Sequence, residues 1–400
     1  MTRNNHRIMM KMKKHRKHTN LERRFNDNFA PNEISILGTN CGNISDLVSK
    51  VSQKLNNYKL AYFDASHAKD VEENSLSEYT FHHQGNVQIT TSGNVNKFQQ
   101  RLDFAQYDYV FINGNHYQGA KQILILDKAK EASVLKRLDQ LDSIQFVVKL
   151  NSETKYFDFL EEKYPQIKNI TCYTIDEVDA IASHINNLIQ EKIAPVKGLV
   201  LVGGKSTRMG TDKSELIYHS KSQKEFAKEL LENNNLETFY SVRDFSTALE
   251  MTNENLNVTL SAVERSQGYQ EISDKFLNLG PFGGICSAFQ KDPNAAWLVL
   301  ATDVPFVNNE VIQLLLKHRN PSKIATAIKG KSNQFVEPLI TIYEPKAYPI
   351  LLQYLAQGYS CPRKVLINSD VEVVEIDEDF IRNINTPEEF EAAKKELDTL

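Results

Sequence analysis

The chain has 400 residues, carries 47 lysines and arginines against 51 aspartates and glutamates, and has a formal net charge of −4. This length suits two domains, each large enough to bury a core of its own. The net charge is too small to indicate the kind of partner. The sequence contains neither the apolar segment of a signal peptide nor a transmembrane run, so we expect a soluble, cytoplasmic protein that contacts no membrane.

The N-terminal segment is strongly basic and contains no apolar core stretch. Its first thirty residues hold nine lysines and arginines against Glu22 and Asp27. This composition predicts a disordered basic extension over residues 1–32. A solvated tail, or sequence upstream of a true start at a later methionine, explains it without a ligand, and we expect no nucleic-acid partner.

Residues 33–195 are predicted to form a first α/β domain. A strand over 34–37 is followed by a turn beginning at Gly38 and then by apolar residues at helical spacing. This is the layout of a P-loop, but Asn43 replaces the second glycine and Ile44 the lysine of G-x-x-x-x-G-K-[ST]. Without that lysine the loop lacks the charge that reaches the β and γ phosphates.

Two further segments of this half, 107–116 and 121–126, carry apolar strands. Together with the loop at Gly38 they resemble the P-loop, D-x-x-x-x-E-G-F-K and K-I-x-x-x segments of the molybdopterin-guanine dinucleotide biosynthesis adapter. Asn113 stands where that family has Glu. The resemblance implies a degenerate adapter-like domain, and an unrelated α/β domain is the alternative.

The boundary between the domains is predicted near Pro195. Residues 177–192 place apolar side chains on one helical face, and Pro195 then interrupts the helix. Residues 196–400 form the second predicted domain.

The cysteines and histidines indicate no metal centre. The chain has four cysteines, and no two of them form a C-x-x-C pair. The histidines do not form a cluster with metal-ligand spacing. We therefore expect no zinc site, and we expect the thiols to be reduced.

A glycine-rich loop opens the second domain. The apolar, β-branched run 197–202 predicts a buried strand, after which Gly203 and Gly204 let the backbone turn tightly and approach a ligand. Arg208 and Lys213 add positive charge within a dozen residues. The pattern predicts a phosphate-binding loop after a strand, and an ordinary surface turn with a solvated lysine is the alternative.

Asp303 follows a second apolar strand, predicted over 297–302. Open α/β sheets bind ligands at the carboxyl ends of their strands. Mg²⁺ prefers one or two carboxylates together with water and substrate phosphates. We therefore predict Asp303 as a metal ligand, with capping of the turn before Pro305 as the structural alternative.

Five segments in the second half resemble, in the same order, the motifs of the molybdenum cofactor guanylyltransferases. The motifs are L-x-G-G-x-S-x-R-M-G-x-D-K, G-P-L-x-G-I, C-D-x-P-F, E-P-L and N-x-N-T-P-E. They correspond to residues 201–213, 280–285, 297–306, 337–339 and 382–389. The resemblance covers about half of the chain and implies a Rossmann-like nucleotidyltransferase domain.

The resemblance implies Mg²⁺-dependent transfer of GMP from GTP to molybdenum-molybdopterin, with molybdoenzymes or other cofactor-biosynthesis proteins as further partners. It makes Lys213 and Arg208 catalytic, Asp303 the metal ligand, and Asn383 and Asn385 contacts of the acceptor. Nucleotide contacts are implied for Leu201, Val202, Gly203, Gly204, Lys213, Ser241, Asp274 and Asp303.

The match is imperfect at several of these positions. Ser241, placed after a strand over 237–240, stands where bacterial enzymes tend to carry Asn, and Asp274 aligns only with a one-residue gap. Residues 386–389 form the pattern of a capping box, which explains that segment structurally. Asn383 and Asn385 would then either contact the acceptor or order the chain before the helix.

Three other functions remain open from the sequence. Cytidylyl transfer to the same cofactor is one, although that branch more often has Ala-Gly where this chain has Gly203 and Gly204. Transfer to a phosphosugar is another, but those enzymes usually have Pro at the position of Asp212. The third is a module that binds nucleotide or cofactor without turnover.

Overall fold

The computed structural model describes residues 27–66, 77–82, 85–90, 96–202, 213–243 and 270–399. The chain divides into two compact units, Met1–Asn186 and Asn187–Leu400. Each unit contains a mostly parallel sheet with helices, which confirms the predicted α/β class with two domains. The division lies within a helix upstream of Pro195, and the functional boundary at Pro195 stays a prediction.

The first unit is built on a six-stranded sheet in which every pairing is parallel. Its strand order is β2-β5-β1-β6-β7-β8, and a separate antiparallel pair is formed by β3 and β4. The strands are β1 (Glu33–Leu37), β2 (Leu60–Phe63), β3 (Glu78–Phe81), β4 (Val87–Thr90), β5 (Tyr109–Asn113), β6 (Gln122–Leu126), β7 (Ile144–Lys149) and β8 (Cys172–Thr174).

The predicted first helix of this unit is present but begins at Cys41, earlier than the pattern from Leu47 indicated, because Asn40 caps it. The side chain of Asn40 accepts a hydrogen bond from the backbone N–H of Asn43 and caps the helix, and Ile44 is fully buried beneath it. The helices are α1 (Cys41–Lys54), α2 (Lys97–Phe104), α3 (Glu131–Lys136), α4 (Asp158–Lys163) and α5 (Val178–Gln190), the last of which crosses the division between the units.

The second unit contains a seven-stranded sheet of order β11-β10-β9-β12-β14-β13-β15. Among the seven described strands of this sheet, only β14 runs antiparallel to both of its neighbours. The strands are β9 (Val196–Leu201), β10 (Thr238–Arg243), β11 (Glu271–Asp274), β12 (Ala296–Ala301), β13 (Ala325–Gly330), β14 (Ile340–Tyr343) and β15 (Val371–Ile376).

Helices lie along both faces of this sheet and bury two apolar clusters against it. They are α6 (Gln223–Glu232), α7 (Pro281–Lys291), α8 (Asn309–Lys317), α9 (Ala347–Ala356), α10 (Pro362–Ile367) and α11 (Pro387–Leu397). Segment 280–285, which resembles a family loop, is the start of α7: Gly280 at φ 57° is the N-cap and Pro281 the first helical residue.

The strand order explains where a ligand can bind. The order reverses at β9, which pairs in parallel with β10 on one side and β12 on the other, so that Leu201 lies opposite both Ser241 and Ala301. A crevice at the carboxyl ends of such strands is the usual ligand site of an open α/β sheet. Residues immediately after β9 and β12 therefore meet at one edge.

A buried ion pair connects the C-terminal end of β14 to the segment that precedes β9. Arg319 donates from Nε and Nη2 to the two carboxylate oxygens of Glu344, at 2.7 and 2.8 Å, and Glu344 is almost fully buried. The same Nη2 donates to the carbonyl oxygen of Ala194 at 2.8 Å. This bidentate geometry satisfies the carboxylate without water.

Among the described residues, no helix has both the length and the apolar composition needed to cross a bilayer.

Candidate active site

The end of β9 supplies the first part of the candidate site. The backbone N–H of Val202 donates to the carbonyl oxygen of Ser241 at 3.2 Å, and the hydroxyl of Thr302 donates to the carbonyl oxygen of Leu201 at 3.5 Å. The ends of β9, β10 and β12 are thus tied together. Three of the predicted residues that follow lie outside the described part of the chain: Gly203, Gly204 and Arg208.

Lys213 lies at the start of a short 3₁₀ turn, Lys213–Glu215, and its side chain reaches across the site. Its Nζ donates to the carbonyl oxygen of Ile384 at 2.9 Å and to the side-chain oxygen of Asn385 at 2.8 Å. A solvated surface lysine would make no such pair of contacts. The structure therefore brings together the predicted phosphate-binding lysine and a predicted acceptor-binding residue.

Asp303 lies two residues beyond the end of β12, at the edge where the strand order reverses. Burial raises the pKa of its carboxyl group above the ordinary value, and the nearby charge of Lys213 lowers it in part. The carbonyl oxygen of Asp303 accepts a hydrogen bond from the backbone N–H of Ile384 at 2.8 Å. Asp303 and Lys213 are thus both fixed to the segment that precedes α11.

The E-P-L segment reaches the same edge. The backbone N–H of Ala301 donates to the carbonyl oxygen of Leu339 at 3.1 Å, just before Asp303. The Glu337 carboxylate accepts a hydrogen bond from Nη2 of Arg363 at 3.0 Å. This part of the resemblance therefore supports the edge through backbone and ion-pair contacts.

Tyr218 is a member of the site that the sequence analysis missed. It is buried and packs with Phe306, Ile384 and Ala393. Burial raises the pKa of its hydroxyl, and the negative charges of Asp303 and Glu389 raise it further. A single aromatic residue after a glycine-rich loop is typical of a core, so its sequence context carries no signal for a place beside Asp303.

Asn385 and Asn383 have different surroundings. Asn385 accepts the hydrogen bond from Lys213, and its backbone N–H donates to the carboxylate of Glu389 at 2.6 Å, whereas Asn383 is exposed. The predicted capping box is confirmed, because Thr386 and Glu389 exchange the two expected hydrogen bonds at the start of α11. Asn385 thus orders the chain before α11 and contacts Lys213, and its contact with the acceptor stays a prediction.

Asp274 has a structural explanation in the described residues. One carboxylate oxygen accepts hydrogen bonds from the backbone N–H of Phe276 at 2.8 Å and from the hydroxyl of Ser287 at 2.9 Å. A Cβ on Gly283 would lie 2.7 Å from the other oxygen. Asp274 thus joins the end of β11 to α7, and its contact with a nucleotide stays a prediction.

Ser241 lies within β10, so the expectation that the strand ends at residue 240 was wrong. Its backbone pairs with Leu201, and it is buried. A Cβ on Gly284 would lie 2.5 Å from the Ser241 hydroxyl oxygen, so this glycine allows α7 to approach the sheet. The strand continues because residues 240–243 pair in parallel with β11.

Within the described residues, no group of three or more His, Cys, Asp or Glu side chains is placed to hold a metal ion. Asp303 supplies a single carboxylate. One carboxylate is compatible with Mg²⁺, which takes its remaining ligands from water and substrate phosphates.

Comparison with known proteins decides the class of this domain. Residues 198–373 match the family described as MobA-like NTP transferase domain. The second unit carries a MobA-like NTP transferase domain. The predicted resemblance of residues 197–400 and the prediction of a nucleotidyltransferase enzyme are therefore confirmed.

Two curated relatives illustrate the extent of the similarity. A "Molybdenum cofactor biosynthesis bifunctional protein" from Synechocystis sp. is 31% identical over 200 residues, which are 49% of this chain and 53% of that protein. A "Probable molybdenum cofactor guanylyltransferase" from Natranaerobius thermophilus is 27% identical over 212 residues, covering 50% of this chain and 96% of that protein. The match thus spans about half the length of the Synechocystis relative.

Two solved structures are similar to parts of the chain. "Molybdopterin-guanine dinucleotide biosynthesis protein A" from Archaeoglobus fulgidus has 23% identity, covers 51% of this chain and 100% of its own, and has a TM-score of 0.41. "Molybdopterin-guanine biosynthesis protein B" has 18% identity, covers 40% of this chain and 99% of its own, and has a TM-score of 0.28. The adapter-like character of the first unit stays a prediction.

Proposed function

We propose that the second unit catalyses Mg²⁺-dependent transfer of GMP from GTP to the phosphate of molybdenum-bound molybdopterin. The products are pyrophosphate and the guanine dinucleotide form of the cofactor. One observation carries the proposal: Lys213 is hydrogen-bonded to Asn385 beside Asp303. Residues expected to contact the triphosphate, the acceptor and the metal therefore share one sheet edge, and the names of the curated relatives supply the substrates.

Lys213 supplies positive charge to the transferring phosphate. Its ammonium group is held by two neutral oxygens, those of Ile384 and Asn385, so these two hydrogen bonds do not cancel its charge. A charge fixed before the reaction stabilises the oxygens on which negative charge develops, at no cost of reorganisation. Arg208 is proposed as a second phosphate contact on the basis of its sequence position.

Asp303 fits a role as the Mg²⁺ ligand. Burial disfavours its ionised form, as the raised pKa shows, and a divalent cation would restore the balance of charge there. When bound, Mg²⁺ supplies neutralisation of the triphosphate charge. Thr302 and Ile384 hold the backbone on either side of this carboxylate in place.

The acceptor binds next to the lysine in this proposal. Asn383 is exposed and can contact the pterin, while Asn385 fixes Lys213. Holding both reactants at one edge lowers the entropic cost of the transfer. The first unit then holds the acceptor or a partner protein, such as a molybdoenzyme, close to the transferase.

Pyrophosphate release by the full chain tests the proposal. Each of the four nucleoside triphosphates is offered with Mg²⁺, with and without molybdenum-molybdopterin, and the exposed Lys317→Ala variant serves as a control for nonspecific effects. We expect release from GTP only when the acceptor is present. Faster release from CTP would replace the guanylyl assignment with a cytidylyl one. Release only with a phosphosugar would replace the acceptor, and binding without release would make the unit a noncatalytic module.

A further inference from the structure

A cluster of polar side chains lies at the carboxyl edge of the first sheet, outside the transferase unit. Its members come from three elements: Cys41 from the first turn of α1, Asp64 from the end of β2, and Asn113, Asn115 and His116 from the end of β5. We call these five residues the thiol cluster. They occupy the edge at which a P-loop protein would bind a phosphate.

The loop at this edge is closed to a phosphate by its own hydrogen bonds. The backbone N–H of Asn43 donates to the side chain of Asn40 at 2.9 Å, and that of Ile44 donates to the Asn40 carbonyl oxygen at 3.2 Å. The Thr39 hydroxyl donates to the buried carboxylate of Asp127 at 2.8 Å, which places a negative charge beneath the loop. Two backbone donors of the loop are thus engaged and a carboxylate lies close to it, which disfavours a phosphate at this edge.

The sulfur of Cys41 lies 3.3 Å from Nε2 of His116. The same nitrogen lies 3.8 Å from Oδ1 of Asp64, so the imidazole faces the thiol and the carboxylate with one nitrogen. Burial raises the pKa of the Cys41 thiol, but hydrogen bonds from Asn113, His116 and Asn115 outweigh it and leave the pKa below its ordinary value. A thiolate in the first turn of a 14-residue helix also gains from the helix dipole.

Asn113 is a further polar member of the cluster. Its side chain is fully buried. The Asn113 side-chain oxygen accepts from the backbone N–H of Asn115 at 3.1 Å, so the amide group is oriented. Its nitrogen faces the Cys41 thiol and the Asp64 carboxylate closely enough to lower the pKa of both groups. Asn113 therefore stabilises negative charge on the thiol and on the carboxylate.

We propose that Cys41 is a nucleophilic thiol that exchanges with low-molecular-mass disulfides, preferentially those carrying an ammonium group. His116 holds the thiolate, and the Asp64 carboxylate attracts the ammonium group. The side chains of Cys41, Asp64 and His116 are all partly exposed, so a small disulfide can reach the sulfur.

The exchange balances without a further oxidant. The Cys41 thiol passes its proton to Nε2 of His116, and Sγ attacks one sulfur of the disulfide R–S–S–R. A new Sγ–S bond forms as the S–S bond breaks, and the leaving thiolate RS⁻ takes the proton from the imidazolium as RSH. Cys41 is oxidised to a mixed disulfide, and one half of the reagent is reduced to a thiol.

The chain contains its own controls for this chemistry. Cys172 and Cys361 are exposed cysteines outside the cluster, whereas burial raises the pKa of Cys286 to about 12. The titratable groups that face Cys41 are His116 after β5, and Tyr62 and Asp64 at the end of β2. A pH profile of the reaction can therefore be assigned to a small set of residues.

The test follows the reaction of the full chain with cystamine, using peptide mass mapping to obtain a rate for each cysteine. We expect Cys41 to react about tenfold faster than Cys172 at pH 7, because the adjacent His116 stabilises its thiolate. In His116→Gln, the Cys41 rate should fall to that of Cys172, and the Cys172 rate itself should not change, since this cysteine lies outside the cluster. Equal rates in the unmodified chain, or an unchanged Cys41 rate in His116→Gln, would overturn the proposal.

A second measurement tests the preference for an ammonium group. The reaction rates of cystamine and the dianionic 3,3′-dithiodipropionate are compared at Cys41 and at Cys172, which lies outside the cluster. We expect the ratio of the cystamine rate to the dithiodipropionate rate to be several-fold higher at Cys41 than at Cys172. In Asp64→Asn, the ratio at Cys41 should fall to the value found at Cys172. Equal ratios at the two cysteines in the unmodified chain would contradict the role given to Asp64.

Discussion

Lys213 donates a 2.8 Å hydrogen bond to the side-chain oxygen of Asn385, a residue 172 positions further along the chain. The neighbouring Ile384 is in turn bound through its backbone N–H to the carbonyl oxygen of Asp303. The segment before α11 is thus fixed to the end of β12 and to the loop after β9. Because of these contacts, the position of Lys213 depends on the segment proposed to bind the acceptor, and the reverse also holds.

Substitution of Lys213 by Ala should lower turnover by roughly a hundred- to a thousandfold, the usual effect of losing one fixed donor to a developing negative charge. Pyrophosphate release measures it, with Lys317→Ala as the matched control, since Lys317 is an exposed lysine on α8. Turnover close to that of the unmodified protein would remove Lys213 from the reaction. A similar loss of turnover in Lys317→Ala would mean that the assay responds to the loss of any positive charge on the protein.

Substitution of Asn385 by Ala should lower turnover less than Lys213→Ala does, because the Ile384 carbonyl still holds the ammonium group. The double variant should be hardly worse than Lys213→Ala alone, since both changes act on one interaction. Asn383→Ala is the control for the neighbouring exposed amide. If the two effects simply multiplied, the hydrogen bond would have no part in positioning Lys213.

The capping box and the long-range contacts show what the sequence can and cannot predict. Thr386 and Glu389 lie within one turn, so their hydrogen bonds follow from the local pattern, and the structure confirms them. The common edge of Lys213 and Asp303 followed from the strand-end rule. The bond from Lys213 to Asn385 depends on packing between distant segments, which no local pattern encodes.

One error and two omissions have the same physical origin. The predicted C-terminal end of β10 was too early, because the length of this strand is set by its pairing with β9 and β11 rather than by its composition. Tyr218 and the pair of Cys41 with His116 were missed because an aromatic residue and a single cysteine acquire their roles only from neighbours brought in by the fold.

Substitution of Asp303 by Asn should abolish transfer and its Mg²⁺ dependence while raising thermal stability in metal-free buffer at neutral pH. Burial makes the folded-state pKa of Asp303 higher than the unfolded one, so the charged form opposes folding above the folded-state pKa. The gain should therefore disappear as the pH falls below the ordinary pKa of an aspartate. Thermal unfolding at several pH values, with the exposed Asp398→Asn as control, measures it. An equal gain at low pH would show that charge is not the cause.

Substitution of Arg319 by Met should destabilise the second unit by about 3–5 kcal/mol, because it leaves the buried Glu344 carboxylate without a partner. The double variant Arg319→Met with Glu344→Met should regain most of this loss. The chain has one tryptophan, the buried Trp297 of β12, so its fluorescence during urea unfolding reports on this unit. A double variant as unstable as the single one would show that the bond from Arg319 to Ala194 matters more than the ion pair.

The full chain should bind one molecule of GTP in the presence of Mg²⁺, and this GTP should bind in the second unit. In the first unit, Ile44 stands where a P-loop has its lysine and is fully buried, Asn43 donates its backbone N–H to Asn40, and the Asp127 carboxylate lies beneath the loop. Each of these features opposes the binding of a triphosphate. Ile44 carries no positive charge, the N–H of Asn43 is already hydrogen-bonded, and the Asp127 carboxylate repels the phosphates.

Isothermal titration with a slowly hydrolysed GTP analogue measures the number of nucleotides bound per chain. We expect a value near one in the unmodified chain and a large loss of affinity in Lys213→Ala. A value near two, or a site that keeps its full affinity in Lys213→Ala, would show that the loop at Gly38 binds the nucleotide after all.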